Sequence, residues 1–377
     1  MTPRTSVVLV AHEVHGRGGQ ERAALELVRE LHTDVDFLVV SREIDPTLLD
    51  KVAWRRVRAP RRPAPLLFAL FYIQATMIVY RERRQRLVHI SGAVVANKWD
   101  FCTMQFVNTT YRARFGAAPV GVRGIRRLNT ILFRTLSVMA ETRALRQGTG
   151  IAIAVSRGIE SELSELNPQL RTTVIPNGVD TSRFRPDPKR RSNTRSHLGI
   201  DESDFVAIFV GGDWERKRLR WAMEAVSLMA SPGKLIVLGE GDQQAYHRYA
   251  LDLGIEDSIS FLGKRTDVET YLLAADALLL PTSYEAFSLA TIEAAASGLP
   301  VVGSQANGMQ DLVGDEGAHL LVADEFGPPG YARRLDMLAS DPAERIRLGT
   351  LLRKRALDLS WPSIAAKTLA LYSGATK

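Results

Sequence analysis

FVAIFVGGDWERKRLRWAMEAVSLMA, residues 205–230, reads as a short apolar strand, a glycine-rich turn and a helix. That order opens a parallel α/β unit. Phe205 to Val210 is the strand, and helical periodicity begins at Leu219 and runs to Ala230. The alternation continues with strands at Leu235 to Leu238 and Ile259 to Leu262, a helix at Val268 to Ala275 and a strand at Ala277 to Leu280. A further helix, Ser288 to Ser297, stops at Gly298, a natural left-handed end, and Pro300 leads into a strand at Val301. The same pattern stands upstream. Val7 to Ala11 is a strand, Glu21 to Leu31 a helix with Ala24, Leu25, Val28 and Leu31 on one face, and Phe37 to Val40 the next strand. Ile151 to Val155 and Thr172 to Ile175 are further strands.

Between the two halves, Asp180 to Gly199 is rich in Arg, Pro, Ser and Asp without apolar periodicity, which predicts a linker. A chain of 377 residues also exceeds the roughly 250 to 300 that a single core supports. The expected organisation is an amino-terminal domain over 1–185, a linker over 186–200 and a carboxy-terminal domain over 201–360.

Apolar residues make up 45% and charged residues 24%, which excludes disorder, collagen and coiled coil. The only cysteine, Cys102, forms neither an intramolecular disulfide nor a cysteine metal site, favouring a reducing, cytosolic setting and a buried, inert thiol. The net charge of +7 is unevenly spread. Met1 to Asp180 carries 26 Lys and Arg against 16 Asp and Glu, a formal +10, and the remainder is formally −3. A basic amino-terminal half points to phosphate-rich partners, a membrane surface among them, or to a solvated face. The excess lacks interleaved aromatics and a reading motif, so nucleic acid is not expected.

MTPRTSVVLVAHEVHGRGG, residues 1–19, reads as a first strand and not an export signal. APLLFALFYIQATMIVY, residues 64–80, has no charge and is bracketed by Arg61-Arg62 and by Arg81 to Arg86. A core helix, a helix lying on an anionic membrane and a span at the lower length limit all fit it.

Open α/β sheets bind ligands beyond the carboxyl ends of their strands, so four loops matter. In HEVHGRGGQER (12–22), Gly16, Gly18 and Gly19 allow close approach of a phosphate or sugar, or make a plain tight turn. Glu21 stands where a dinucleotide fingerprint needs a small residue, which disfavours NAD. In GGDWERK (211–217), Arg216 and Lys217 precede a helix whose dipole disfavours each cation by about 0.3 to 1 kcal/mol. A bound diphosphate beside the turn of Gly211 and Gly212 reverses that, and solvated cations are the alternative. In EAFSLATIE (285–293), Leu289, Ile292 and Ala296 mark the buried face, which places Glu293 against the core as a half-buried carboxylate needing a partner. The vicinal hydroxyls of a ribose would supply one, and surface glutamates without a role are the alternative. The fourth loop, VIPNGVDTSRFRP (174–186), is by itself only a turn signal.

Taken together, these segments resemble the family-4 retaining glycosyltransferases. The resemblance rests on IPNGVD (175–180) running into Phe184 and Pro186, on GG-x-ER at Gly18 to Arg22, on the Arg216-Lys217 pair and on Glu285 followed by Glu293. LGEG (238–241), the run from Leu262 to Asp267, AAD (274–276) and SGLPVV (297–302) extend it over nearly the whole chain. It implies the α/β GT-B fold, two Rossmann-like domains facing each other across a deep cleft. It also implies a last helix, about 361–377, that packs back on the first domain.

By the same resemblance, Arg216 and Lys217 would grip a donor diphosphate, Glu293 would hold the ribose, and Glu285 would touch the transferred hexose with the backbone of Ala286, Phe287, Ser288 and Leu289. Gly263, Lys264 and Arg265 would flank the base, and Gly18 and Gly19 would lie against the donor phosphate and sugar. Glu285, Arg216 and Lys217 are the expected catalytic groups. Two departures stand out. Gly212 occupies a place where many relatives carry Arg, and DFCTMQFVNTTY (100–111) lacks the histidine that many relatives place near the cleft. Gln105 or Asn108 stands in its place, with His89 as the other acceptor-side candidate.

The expected activity is therefore retaining transfer of a hexose from a nucleotide-diphosphate donor, a UDP-sugar ahead of a GDP-sugar, to a membrane-linked glycan or lipid. The alternatives are a GT-B nucleotide-sugar epimerase and a non-catalytic nucleotide-sugar or glycan binding partner. No cofactor is expected. No metal is expected either, because the seven histidines are scattered and Asp34-Val35-Asp36 flanks a strand. A cytoplasmic enzyme, peripheral on the inner face of the cell membrane and held there by its basic first domain, completes the expectation.

Overall fold

The structure, a computed structural model, describes residues 4–118, 123–306 and 308–375. The chain forms two compact units, Met1–Asn177 with Trp361–Lys377, and Gly178–Ser360. Each is built on its own parallel sheet.

In the first unit the strands lie in the order Ala53–Arg56, Val35–Ser41, Thr5–Val10, Leu87–Ser91, Phe101–Met104, Ile151–Ala154 and Arg171–Val174. All neighbours are parallel. Growth of the sheet proceeds to one side of Thr5–Val10 and then resumes on its other side. Such a reversal leaves a crevice between the loops that follow the two central strands. Runs of Val, Leu and Ile suit strands covered on both faces, and Val7 to Val10 are buried. The helix Gly19–Leu31 covers the sheet with Ala24, Leu25, Val28 and Leu31, the four residues its periodicity singles out. The terminal helix Trp361–Gly374 packs against it. Residues 376 and 377 of the expected last helix lie outside the described residues.

The second unit repeats the plan with the order Ile259–Gly263, Gly233–Leu238, Phe205–Val210, Ala277–Leu280, Val301–Ser304 and Leu321–Val322, again all parallel. Its reversal falls between Phe205–Val210 and Ala277–Leu280. The helix Leu289–Ala296 runs through the core and is buried from Ala290 to Ala296. It stops at Gly298, whose φ of +83 is the expected left-handed turn. The helix Pro342–Leu357 crosses that turn so closely that a Cβ on Gly349 would lie 2.0 Å from the Gly298 carbonyl.

The expected linker over 186–200 is corrected. The first unit ends at Asn177 and not at 185, and Pro188–His197 is a helix of the second unit. Asp187 caps it, accepting from the Arg190 amide at 3.0 Å. Its apolar face is missing because its anchor is an arginine. Arg195 is fully buried and donates to the carbonyls of Ala274, Asp201 and Asp204 at 2.8, 2.6 and 2.6 Å, with the Asp276 carboxylate 3.4 Å away.

The segment 64–80 belongs to the helix Ala64–Glu82, with Phe68, Phe71, Ala75 and Val79 buried. Length and composition alone would let it cross a membrane.

Candidate functional site

The loops that follow the two central strands of the second unit carry most of the residues singled out in the sequence. After Phe205–Val210 the backbone turns through Gly211 and Gly212. The Gly211 amide donates to Leu238 O at 2.8 Å, and the neighbouring loop presses so close that a Cβ on Gly239 would sit 2.0 Å from the Gly211 carbonyl. Only glycine permits that approach. Trp214, almost fully buried, locks the same turn by donating from its indole to Gly211 O at 3.0 Å and by packing edge-on to Tyr246. A Cβ on Gly241 would lie 2.3 Å from the Trp214 ring, so one glycine of LGEG makes room for the Gly211 carbonyl and the other for Trp214.

Arg216 and Lys217 leave that turn and point inward. Their side chains are 19% and 12% exposed and converge on one carboxylate oxygen of Glu285, at 3.2 and 3.3 Å. Arg216 is aimed by two further groups: Asp213 accepts from its Nε at 3.0 Å, and the Tyr284 carbonyl accepts from the guanidinium at 2.6 Å. Ser283 ties the loops together by donating from both its amide and its hydroxyl to Arg216 O at 2.9 Å. Burial raises the carboxyl pKa of Glu285, but Lys217 and then Arg216 outweigh it and hold the group below the usual range. Two cations stand against one part-buried carboxylate inside the cluster, and the more exposed Asp213 balances Arg216 from outside, so an incoming anion would compete with Glu285 for both cations.

Next to this cluster the helix Leu289–Ala296 begins. Ser288 caps it, its hydroxyl accepting from the Thr291 amide at 3.3 Å. The first amides of a helix have no acceptor within it and carry its positive end. Ala286, Phe287, Ser288 and Leu289 form the approach to that end. Glu293 is buried, not half-buried, because the whole helix except Leu289 lies inside the unit. Gly263, at φ +69, ends its strand and accepts from the Gly239 amide at 2.8 Å. Lys264 is exposed, whereas Arg265 is engaged by Asp267 through two 3.0 Å bonds and lies over the Tyr271 ring. Gly212 is exposed, and a Cβ there would meet only Glu240 O, at 3.9 Å.

In the first unit, Gly18 caps the helix that starts at Gly19, and its carbonyl accepts from the Arg22 amide at 3.0 Å. Of the acceptor-side candidates two are held by neighbours within the first unit. His89 is a core residue: one ring nitrogen contacts the Tyr372 hydroxyl, and the other meets the Thr103 hydroxyl at 2.8 Å. Asn108 is committed to Glu141, a fully buried carboxylate that accepts from the Asn108 amide at 2.8 Å and side chain at 3.0 Å, and from the Thr109 amide at 2.8 Å. That carboxylate caps the helix Asn108–Phe115 from its neighbour Gly124–Gln147. Gln105 is half-buried and lines a pocket with His89, Ser91, Thr103 and Asn177 at the carboxyl ends of the strands.

Burial lowers the pKa of His89 to about 3 and that of His12 to about 4, with Arg42 adding to the latter. Both groups are neutral in the folded protein and take up a proton on unfolding below about 6.5, so stability falls as pH drops from there toward the folded values. The unfolding free energy from urea titrations should fall by roughly 1.4 kcal/mol per pH unit for each such proton as pH drops from about 6 to about 4.5. His89→Gln should remove one proton from that slope; an unchanged slope would refute the assignment.

Glu141, Asp213 and Trp214 escaped sequence reading, since nothing local distinguishes a buried cap or a packing tryptophan. The structure also gathers Glu13, His15 and Glu43, whose ligand atoms lie within 4.8 Å of one another. Arginines already occupy these carboxylates. Arg42 pairs with Glu13, and hydrogen bonds from Arg61, then Arg17, hold Glu43 at about 2 against the opposing effect of burial.

Comparison with known proteins identifies the family and the fold. A family model described as "Glycosyl transferases group 1" matches residues 204–341, and one described as "Glycosyltransferase Family 4" matches residues 17–183. A D-inositol 3-phosphate glycosyltransferase of Frankia alni is 30% identical over 302 residues, 75% of this chain and 72% of its own length. Among solved structures, WaaG, a glycosyltransferase involved in lipopolysaccharide biosynthesis, superposes with a TM-score of 0.80 at 19% identity, over 98% of this chain and 100% of its own. Anabaena Alr3699/HepE in complex with UDP and glucose follows at 0.74 and 17%, with the same coverage. The fold is GT-B.

Proposed function

The chain belongs to the group 1, family 4 glycosyltransferases, and on that premise we propose that it is a retaining hexosyltransferase using a UDP-sugar. The acceptor is a membrane-linked glycan or lipid, no metal or other cofactor takes part, and the enzyme works on the cytoplasmic face of the cell membrane. The observation that carries this reading is the convergence of Arg216 and Lys217 on Glu285 beside the start of Leu289–Ala296. UDP and glucose in Alr3699/HepE, and the lipopolysaccharide pathway of WaaG, favour the donor and the acceptor class respectively.

The difficult event is breaking the bond from the sugar C1 to the diphosphate. Charge builds on the leaving oxygens while the sugar becomes cation-like. Arg216, Lys217 and the helix amides stabilise that charge from preset positions, the kind of electrostatic support worth several kcal/mol per donor. Glu285 holds both cations in place while the site is empty and faces the sugar when the diphosphate takes over the cations. Glu293 accepts from the ribose hydroxyls, and Gly263, Lys264 and Arg265 border the base. The acceptor hydroxyl attacks C1 on the face the diphosphate leaves, and its proton passes to a departing phosphate oxygen. Such a route requires no histidine base, so Gln105 needs only to orient a hydroxyl of the acceptor.

A melting panel of UDP-, GDP-, ADP- and dTDP-sugars tests the donor. A ligand at 100 times its dissociation constant stabilises by about 2.7 kcal/mol, and UDP-sugars should give the largest shift. No shift with any of them would overturn the reading. Turnover without an acceptor would favour an epimerase, and binding without turnover in membrane extract a non-catalytic partner.

A further inference from the structure

We propose that the helices Ala64–Glu82 and Gly124–Gln147 of the first unit form an apolar ridge that lies on an anionic bilayer without crossing it. This deepens the proposed membrane-linked acceptor and, for its use, rests on that reading. Two stripes of large apolar side chains carry it. On the first helix Leu66, Ile73, Met77 and Tyr80 are about half exposed, at spacings of seven, four and three that keep them on one face. On the second, Ile125, Leu128, Leu132 and Met139 repeat the pattern, with Ile125 70% exposed.

Each stripe lies opposite its own helix's buried side. The first helix buries Phe68, Phe71, Ala75 and Val79, and the second buries Ser137, Ala140, Glu141, Ala144 and Leu145. The two helices pack on each other, with Phe68 edge-on to Phe133 at 6.0 Å. Before Ser137 the second helix buries no residue fully. Solvent normally selects polar side chains at such places, so two adjacent apolar stripes mark a surface covered in use.

Charge identifies the cover. Arg81, Arg83 and Arg84 close the first stripe, and the Arg83 guanidinium lies 5.2 Å over the Tyr80 ring. Arg123, Arg126 and Arg127 are exposed at the start of the second. Apolar side chains bordered by arginine, with an aromatic ring at the boundary, match an interface of acyl chains beneath anionic headgroups. A second copy of this basic surface would set arginine against arginine. Spanning is excluded by Phe71, Ala75 and Val79, which are fully buried and would have to leave the core.

Cosedimentation of the full chain with vesicles tests this. Phosphatidylcholine vesicles with about a third phosphatidylglycerol should bind the protein at least tenfold more strongly than phosphatidylcholine alone, and added salt should weaken binding. Ile73→Glu with Met77→Glu, and separately Ile125→Glu with Leu128→Glu, should each lower partitioning by about tenfold or more while the melting temperature holds. Arg126→Glu with Arg127→Glu should remove the preference for anionic lipid. The proposal is overturned if the protein stays in the supernatant, if the variants partition like the parent, or if the same substitutions instead dissolve a dimer. No nucleotide sugar is present, so failure here leaves the donor reading standing, and failure of donor binding leaves the vesicle result standing.

Discussion

Lys217→Ala is expected to raise the dissociation constant for the donor by about 10- to 150-fold, the loss of one charge-assisted hydrogen bond worth about 1.5 to 3 kcal/mol. The side chain is only 12% exposed and already oriented, 3.3 Å from Glu285, so little ordering opposes its contact with a diphosphate. Arg216 cannot replace it, because Asp213 and the Tyr284 carbonyl fix where its guanidinium lies. Catalysis should suffer more than binding, since the leaving oxygens gain charge as the bond breaks. Lys217→Arg should restore part of the binding and less of the turnover, because a planar fork does not reproduce a point charge. Titration calorimetry with the nucleotide sugar that gives the largest melting shift decides the matter. A dissociation constant within twofold of the parent's would mean that the diphosphate lies elsewhere.

The second large effect concerns stability. Asp276 joins three arginines to the central strand of the second unit. Its carboxylate accepts from the Val206 amide at 2.9 Å and from Arg191 at 2.8 Å, stands 3.4 Å from the fully buried Arg195 and lies 3.8 Å from Arg345. Asp276→Ala leaves the Arg195 guanidinium inside the unit without its counter-charge. Breaking a buried pair from one side costs about 3 to 5 kcal/mol, which for a unit of this size lowers the melting temperature by roughly 6 to 20 °C. Asp276→Asn keeps an acceptor for Val206 and should fall between. A loss below about 1 kcal/mol for the alanine variant would show that the carbonyls of Ala274, Asp201 and Asp204 hold Arg195 unaided.

These two predictions mark what was legible in the chain and what was not. Strand–glycine–helix order, the Ala24, Leu25, Val28, Leu31 face and the stop at Gly298 were readable because each follows from local physics: period, backbone freedom and capping. The helix Pro188–His197 was not, because an arginine held by backbone carbonyls replaces its apolar face. Gly124–Gln147 was hidden for the opposite reason. It exposes Ile125, Leu128, Leu132 and Met139, and apart from Leu145 it buries only alanine, serine and the carboxylate of Glu141, so most of its large apolar residues do not mark its inner side. At the site, Arg216, Lys217 and Glu285 stood out through charge at a strand-to-helix turn, but that both cations would meet one carboxylate oxygen depends on two loops 68 residues apart along the chain. His89 and Asn108 looked available as acceptor groups because sequence gives no sign of the partners that occupy them, Tyr372 and Thr103 for one and Glu141 for the other.

Hydrogen exchange of the full chain, with and without a saturating UDP-sugar, measures most directly where the nucleotide sugar binds. The amides of 211–219 and of 286–292 should slow together, as the turn around Arg216 and Lys217 closes on the phosphates and the start of Leu289–Ala296 donates to them. Saturating donor that leaves both segments exchanging at their free rate, while slowing amides elsewhere, would contradict the account.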